Sequence, residues 1–243
     1  VVLEQDRDIR DTVSVIIGGQ ASSITIGQSS RITAANNDTA YRLPMSVLVS
    51  DAGGSPVSGA QVSLRLWPSR YATGYWLRDP QTRECYPYRT GVFSNEDMDE
   101  DLVLDPGEDT NQDNRLTPFS SAAGSLPASV VTDQNGVAEF YLTYLKESAV
   151  WIENKLTATA LVSGTETSST LIFWLGWLAG EECSLSHSPY NKEGSEISEI
   201  SITANPELLT ADGISTSEIQ AVVKDGNGNK VEIPLSVIFT TTL

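Results

Sequence analysis

Histidine, cysteine and methionine are nearly missing from this chain: one His, two Cys and two Met occur in 243 residues. With His187 alone, in the segment Ser186-His-Ser-Pro189, a His-based zinc site or a His-dependent triad would rest on one linker residue, and neither is expected. There is no Gly-rich phosphate loop, no G-x-S-x-G elbow and no C-x-x-C pair. No apolar run approaches the roughly 20 residues of a bilayer span, so direct membrane insertion of this stretch is not expected. An initiator methionine and a charged-then-apolar leader are also lacking, and Val1 reads as the start of an excised or processed fragment. Cations are scarce: 15 Lys and Arg stand against 32 Asp and Glu, a formal charge of −17. A surface that acidic repels phosphate backbones, which excludes nucleic acid as an expected partner.

What is present is β-strand chemistry. Period-two alternation and β-branched runs recur at Thr12 to Ile17, Ser22 to Ile26, Met45 to Val49, Gln61 to Trp67, Val137 to Tyr144, Lys155 to Val162 and Ser169 to Leu175. No stretch has helical periodicity. Asp51 to Pro56, Asp133 to Gly136, Ser163 to Thr165 and Asp225 to Asn229 supply Asp-, Asn- and Gly-rich turns between the runs. Many short strands with this punctuation predict an all-β sandwich. Hydrophobic residues at 40% of the chain suffice for a packed core.

An internal repeat organises the strands. Val49, Asp51, Gly54 and Val57 recur as Val223, Asp225, Gly228 and Val231 at one constant offset, and Ser23-Ile-Thr-Ile26 has its counterpart in Ile200-Ser-Ile-Thr203. Downstream, Gln61 to Leu66 parallels Leu235 to Phe239 after a one-residue shift. The segments Ile202-Thr-Ala-Asn-Pro206, Leu209-Thr-Ala-Asp-Gly-Ile-Ser215, Ile219 to Val223 and Asp225-Gly-Asn-Gly-Asn229 resemble the opening of a bacterial Ig-like domain of group 1 (Big-1), the repeat of invasin- and intimin-type surface proteins. Leu43 to Asp51, Pro56-Val57, Thr132 to Phe140 and Ser163-Gly-Thr165 give residues 20–180 a similar cast, interrupted by an insertion at about 68–127. The resemblance implies immunoglobulin-like β-sandwich modules in tandem: 1–19 the end of a preceding module or a lead-in strand, 20–180 an elaborated module, 181–195 a linker, and 196–243 the N-terminal part of a second, incomplete module. It further implies a non-catalytic spacer or adhesin on a bacterial cell surface, with neighbouring Ig-like modules of the same chain as its first partners.

The insertion holds the one constellation with chemical content. In Asp97-Met-Asp-Glu-Asp-Leu-Val-Leu-Asp-Pro-Gly-Glu108 the acids Asp97, Asp99, Asp101, Asp105 and Glu108 fall at loop positions one, three, five, nine and twelve. That is the spacing with which an EF-hand-type loop turns several oxygens onto one Ca²⁺, position seven adding a backbone carbonyl, here that of Val103. Leu102 replaces the glycine usual at position six. A second series, Asp109, Asn111 and Asp113, follows directly, with Asn114 at its sixth position and Ser120 where a closing glutamate is expected, so it is a weaker site or borrows Glu108. The alternative is a solvated acidic loop without an ion. Nine carboxylates within Glu96 to Asp113 would repel one another in a folded loop, which favours one or two bound Ca²⁺.

Two further features carry expectations. Cys85 and Cys183 fit one disulfide or two unrelated thiols on count alone; a bond, stapling the insertion to the exit of the module, is the reading adopted. Trp67, Tyr71, Tyr75 and Trp76 surround the insertion and form either a contact surface for a protein or glycan ligand or packing against the sandwich, packing being favoured. A carbohydrate-binding module accessory to a secreted enzyme is the alternative function.

Overall fold

The computed structural model describes residues 2–3, 6–10, 21–162, 165–192, 197–226, 228, 230–231, 235 and 237–240. The strand expected at Thr12 to Ile17, and Ser163, Gly164, Asn227 and Asn229 of the expected turns, lie outside them. The fold is all-β and antiparallel; the only helical elements among the described residues are three short 3-10 turns. Two short N-terminal strands, β1 (Val2–Leu3) and β2 (Asp6–Arg10), pair with each other.

The first large sheet is built around β5 (Ala40–Asp51). One of its edges carries β3 (Ala21–Gln28) and β4 (Thr33–Ala35), and the other carries β9 (Val137–Leu145). Strict alternation along β5 sends Tyr41, Leu43, Met45, Val47 and Val49 inward, and β9 matches with Ala138, Phe140, Leu142 and Tyr144. The period of two matches the pleat, so each strand buries one face and leaves the other to solvent. The turn into β9 needs Gly136 at φ 73°, where an added Cβ would meet the Val49 carbonyl oxygen at 2.6 Å.

The second sheet has the order β11 (Thr165–Trp174), β10 (Ile152–Val162), β6 (Gln61–Arg78), β7 (Cys85–Ser94), with β8 (Ser129–Val131) also on β6. Val62, Leu64, Leu156, Ala158 and Ala160 face the first sheet, and the side chains of both sheets close one core, as in a β-sandwich. β6 runs on past the sandwich to Arg78 and pairs there with β7. The extension is covered by a second, smaller core of Ala72, Trp76, Val150 and Trp151.

β12 (Ile197–Asn205) and β13 (Glu218–Asp225) form a separate hairpin. It repeats the β3–β5 arrangement: Ile200 pairs with Val223 as Ile24 pairs with Val49. The turns after the second strands match too. Gly54 and Gly228, both at φ 81°, each donate to the aspartate three residues before, Asp51 and Asp225. Val57 then donates to the Val49 carbonyl at 3.0 Å and Val231 to that of Val223 at 2.9 Å. The repeat read from the sequence is thus also a repeat of backbone pairing.

Candidate metal centre

β7 ends opposite Arg70 and β8 begins opposite Ser63, so both occupy one edge of β6 and leave it unpaired by strands from Leu64 to Ser69. Residues on either side of the acidic run close the two ends of that gap. Asn95 donates through its backbone to Ser69 O (3.0 Å) and through Nδ2 to Pro68 O (2.6 Å), and Leu64 N donates to Ala128 O (2.9 Å). The ends of an exposed edge are thereby covered. Glu100 ties the segment to the sheet by accepting from Lys155 at 2.5 Å and pairing with Arg65. Burial would raise its carboxyl pKa, but the bonds to Lys155 and Arg65 outweigh that and hold it below the usual range.

Residues 97–108 and 109–117 adopt one loop geometry twice. Asp97 accepts from the backbone of Asp101 (3.1 Å) and Leu102 (3.0 Å); Asp109 accepts from Asp113 (3.0 Å) and Asn114 (3.1 Å). Asp101 accepts from Val103 N at 2.7 Å, as Asp113 does from Arg115 N at 2.9 Å. Positive φ falls at the fourth and sixth positions of both: Glu100 and Leu102 at 65° and 70°, Gln112 and Asn114 at 64° and 62°. Asparagine tolerates this region. Leucine does not, and its presence costs roughly 1–2 kcal/mol.

The first loop is closed by the glutamate its spacing indicates, and the second by one the spacing did not reveal. Glu108 closes the first loop, accepting from Met98 N and Asp105 N, both at 2.9 Å. The second loop is closed by Glu96, which accepts from Thr110 N at 3.0 Å and from Asn111 N and Thr117 N at 2.9 Å. Neither Ser120 nor Glu108 takes that place. The backbone agrees: Glu96 N donates to Thr117 O (3.0 Å), as Glu108 N donates to Asp105 O (3.1 Å). Each glutamate directly precedes the first aspartate of a loop, and Glu96, preceding the first, reaches across to close the second. The signal was the twelve-residue recurrence of Glu-Asp at Glu96-Asp97 and Glu108-Asp109.

Carboxylates converge in consequence. Asp97, Asp99 and Glu108 bring ligand oxygens within 4.8 Å of one another, as do Asp99, Asp101 and Asp105, and Glu96, Asp109 and Asp113; each cluster could hold a metal ion. Glu96, Asp97 and Glu108 are buried. Although Asp99 is exposed, partial desolvation in the crowded loop, and then repulsion from Asp101, Glu108 and Asp105, push its carboxyl above its ordinary pKa. Asn111 lies in the second loop, its Oδ1 accepting from Asp113 N at 2.9 Å and its Nδ2 donating to Thr117 Oγ1 at 3.0 Å. Val103 sits at the turn with its side chain exposed.

Cys85 and Cys183 form a disulfide, their Cα atoms 5.3 Å apart, and it fastens β7 to the segment leaving the sandwich. That segment lies along the β6 extension through side chains that stand in for a strand. His187 Nδ1 accepts from Trp76 N at 3.0 Å, and Asn191 both accepts from Gly74 N (2.8 Å) and donates to Gly74 O (3.0 Å). His187 is held in this structural role. Trp67, Tyr71, Tyr75 and Trp76 are each at most 8% exposed, so they are packing residues and present no open contact surface. No helix among the described residues is long and apolar enough to cross a membrane. Compared with family models, curated proteins and solved structures, the chain matches none of them.

Proposed function

We propose that this chain is a non-catalytic structural or adhesion segment of an extracellular bacterial surface protein, made of Ig-like modules of Big-1 type and stiffened by Ca²⁺ in its acidic insertion. The observation that carries the reading is the linked pair of loops, in which Glu108 closes the first and Glu96, preceding the first, closes the second, so that two acidic turns form one unit. Every donor the clusters offer is oxygen, from carboxylates, an amide and backbone, which suits a hard cation rather than zinc or copper. Each loop supplies several carboxylate oxygens, the ligand count that Ca²⁺ takes, whereas Mg²⁺ keeps several waters and is held by one or two carboxylates. Asp97, Asp99, Asp101, Asp105 and Glu108 would hold one ion, and Glu96, Asp109, Asn111 and Asp113 the other. A bound ion would supply only charge neutralisation and cross-linking.

The setting supports the same reading. The segment is tied to β6 and β10 through Glu100, so an ion there would stiffen the sandwich itself. The disulfide is weakly compatible with an oxidising, extracellular compartment. The hairpin repeating the β3–β5 pairing supports modules in tandem. The carbohydrate-binding alternative loses its proposed platform, because the four aromatic side chains are buried. Thermal unfolding in EDTA and in millimolar Ca²⁺ tests the proposal. One site at a hundredfold excess over its Kd adds about 2.7 kcal/mol, which for a chain of this size raises Tm by roughly 5–10 °C. A midpoint unmoved by Ca²⁺ would remove the structural role assigned to the insertion.

A further inference from the structure

The two loops also build an apolar groove in an acidic surface. Leu102 and Leu104 from the first loop meet Leu116 from the second, and Pro118 and Phe119 just after it, around a cavity of about 470 Å³. A second hollow of about 350 Å³ lies alongside and shares Arg115, Leu116, Pro118 and Phe119 with the first. Leu102 is 62% exposed and Phe119 58% exposed, beside a segment that carries nine carboxylates between Glu96 and Asp113. Leu102 is the informative residue. It holds φ 70°, a conformation that disfavours leucine, and its counterpart Asn114 shows that the turn itself is made by the residue that conformation favours. Its side chain is not buried in the core. The leucine is therefore costly to the turn and unused by the fold, which leaves a surface role.

We infer that this groove docks a cationic, apolar-anchored segment of a partner protein. The charge around it selects the occupant. Asp97, Asp113 and Glu147 line the two hollows against the single cation Arg115, and Asp99, Asp101 and Asp105 stand exposed in the same loops. Two bound Ca²⁺ would cancel four of the nine acidic charges between Glu96 and Asp113, and the surface would remain acidic. An anionic lipid surface or an acidic peptide is repelled here; a segment with leucine or tryptophan between lysines matches both the apolar floor and the acidic rim. The inference goes beyond the proposed function by naming the chemistry of an adhesion partner, and it does not require the ion.

The test is fluorescence anisotropy at about 0.15 M salt with a short labelled synthetic peptide alternating lysine with leucine around one tryptophan. Two control peptides replace its lysines by glutamate or its apolar residues by serine. The first peptide should bind the wild-type chain, both controls should bind at least about tenfold more weakly, and Leu102→Asn should weaken the first peptide by a similar factor. Leu102→Asn suits the turn, so loss of binding is not loss of folding. Phe119→Ser serves as the second variant, accepted only if its thermal midpoint holds. Equal binding of the serine peptide would reduce the effect to charge and overturn the groove, and so would an unchanged affinity of Leu102→Asn or no binding by wild type. Because the Ca²⁺-dependent midpoint is measured separately on the same proteins, failure of docking and failure of the metal reading are distinguishable.

Discussion

Substituting Glu96 by glutamine isolates the crossed closure of the second loop. The Glu96 carboxylate accepts four hydrogen bonds, from Thr110 N, Thr110 Oγ1, Asn111 N and Thr117 N, and it is only 2% exposed. Glutamine keeps one oxygen and sets an NH₂ against a backbone N–H, so at least one charge-assisted bond is lost and one buried donor is unpaired, a cost of about 2–4 kcal/mol. Removing the charge also relieves repulsion with Asp109 and Asp113, whose oxygens lie within 4.8 Å. That relief is roughly 1 kcal/mol per pair at a solvated site and about 3 at an effective dielectric of 20. In EDTA the two effects oppose: relief from both pairs leaves a net loss of about 0–2 kcal/mol in the solvated limit and a net gain of about 2–4 kcal/mol at the lower dielectric, so Glu96→Gln costs less in EDTA than in Ca²⁺ in either case. In Ca²⁺ the relief vanishes because the ion already neutralises the acids, so the full loss appears with an added loss of affinity. Amide hydrogen exchange reads it locally. Thr110, Asn111 and Thr117 should lose protection while Met98 and Asp105, held by Glu108, keep theirs. Loss at Met98 and Asp105 with Thr110 unchanged would refute the crossed assignment.

Other perturbations have defined outcomes. Leu102→Asn should raise stability by about 1 kcal/mol, since asparagine tolerates the left-handed region, measured by urea denaturation; a loss would contradict the strain argument. Cys85→Ser with Cys183→Ser opens a loop of sequence separation 98 and should cost up to about 4–5 kcal/mol, read from the midpoint of the double variant. For Glu153, hydrogen bonds from Arg70 at 2.6 Å outweigh burial and hold the carboxyl below its ordinary range. The folded pKa being depressed, its stabilisation is complete above the unfolded carboxylate pKa and is lost as pH falls through the folded value. Glu153→Gln should therefore flatten the acid limb of the stability curve; an unaltered limb would show that the pair contributes nothing.

Most of the sandwich was legible because its strands obey the period-two rule: β5 and β9 alternate buried and exposed side chains almost without exception. The continuation of β6 past Trp67 was read as insertion rather than strand. Pro68, Gly74 and a run of inward aromatics break the alternation there, and burial on both faces erases the polar face that marks a strand. Gly74 explains itself only in space, where an added Cβ would meet the Tyr88 carbonyl oxygen at 2.2 Å. In the acidic segment the aspartates that begin each loop, and the left-handed sixth position, follow from local spacing. Glu96 does not, because it closes a loop beginning at Asp109, and a local template read forward assigns that place to Ser120. The hairpin repeat was visible because the residues that set its turn recur at one offset, Asp51 and Gly54 against Asp225 and Gly228.

Calorimetric titration of the metal-free chain with Ca²⁺, beside Asp97→Asn/Asp99→Asn, bears most directly on the central claim. Two bound ions in the wild-type chain and one in the variant, with the remaining site lost on adding Glu96→Gln, is the predicted result. No saturable binding up to about 10 mM would place Kd above even the weakest extracellular calcium modules and leave the linked loops as an ion-free acidic turn.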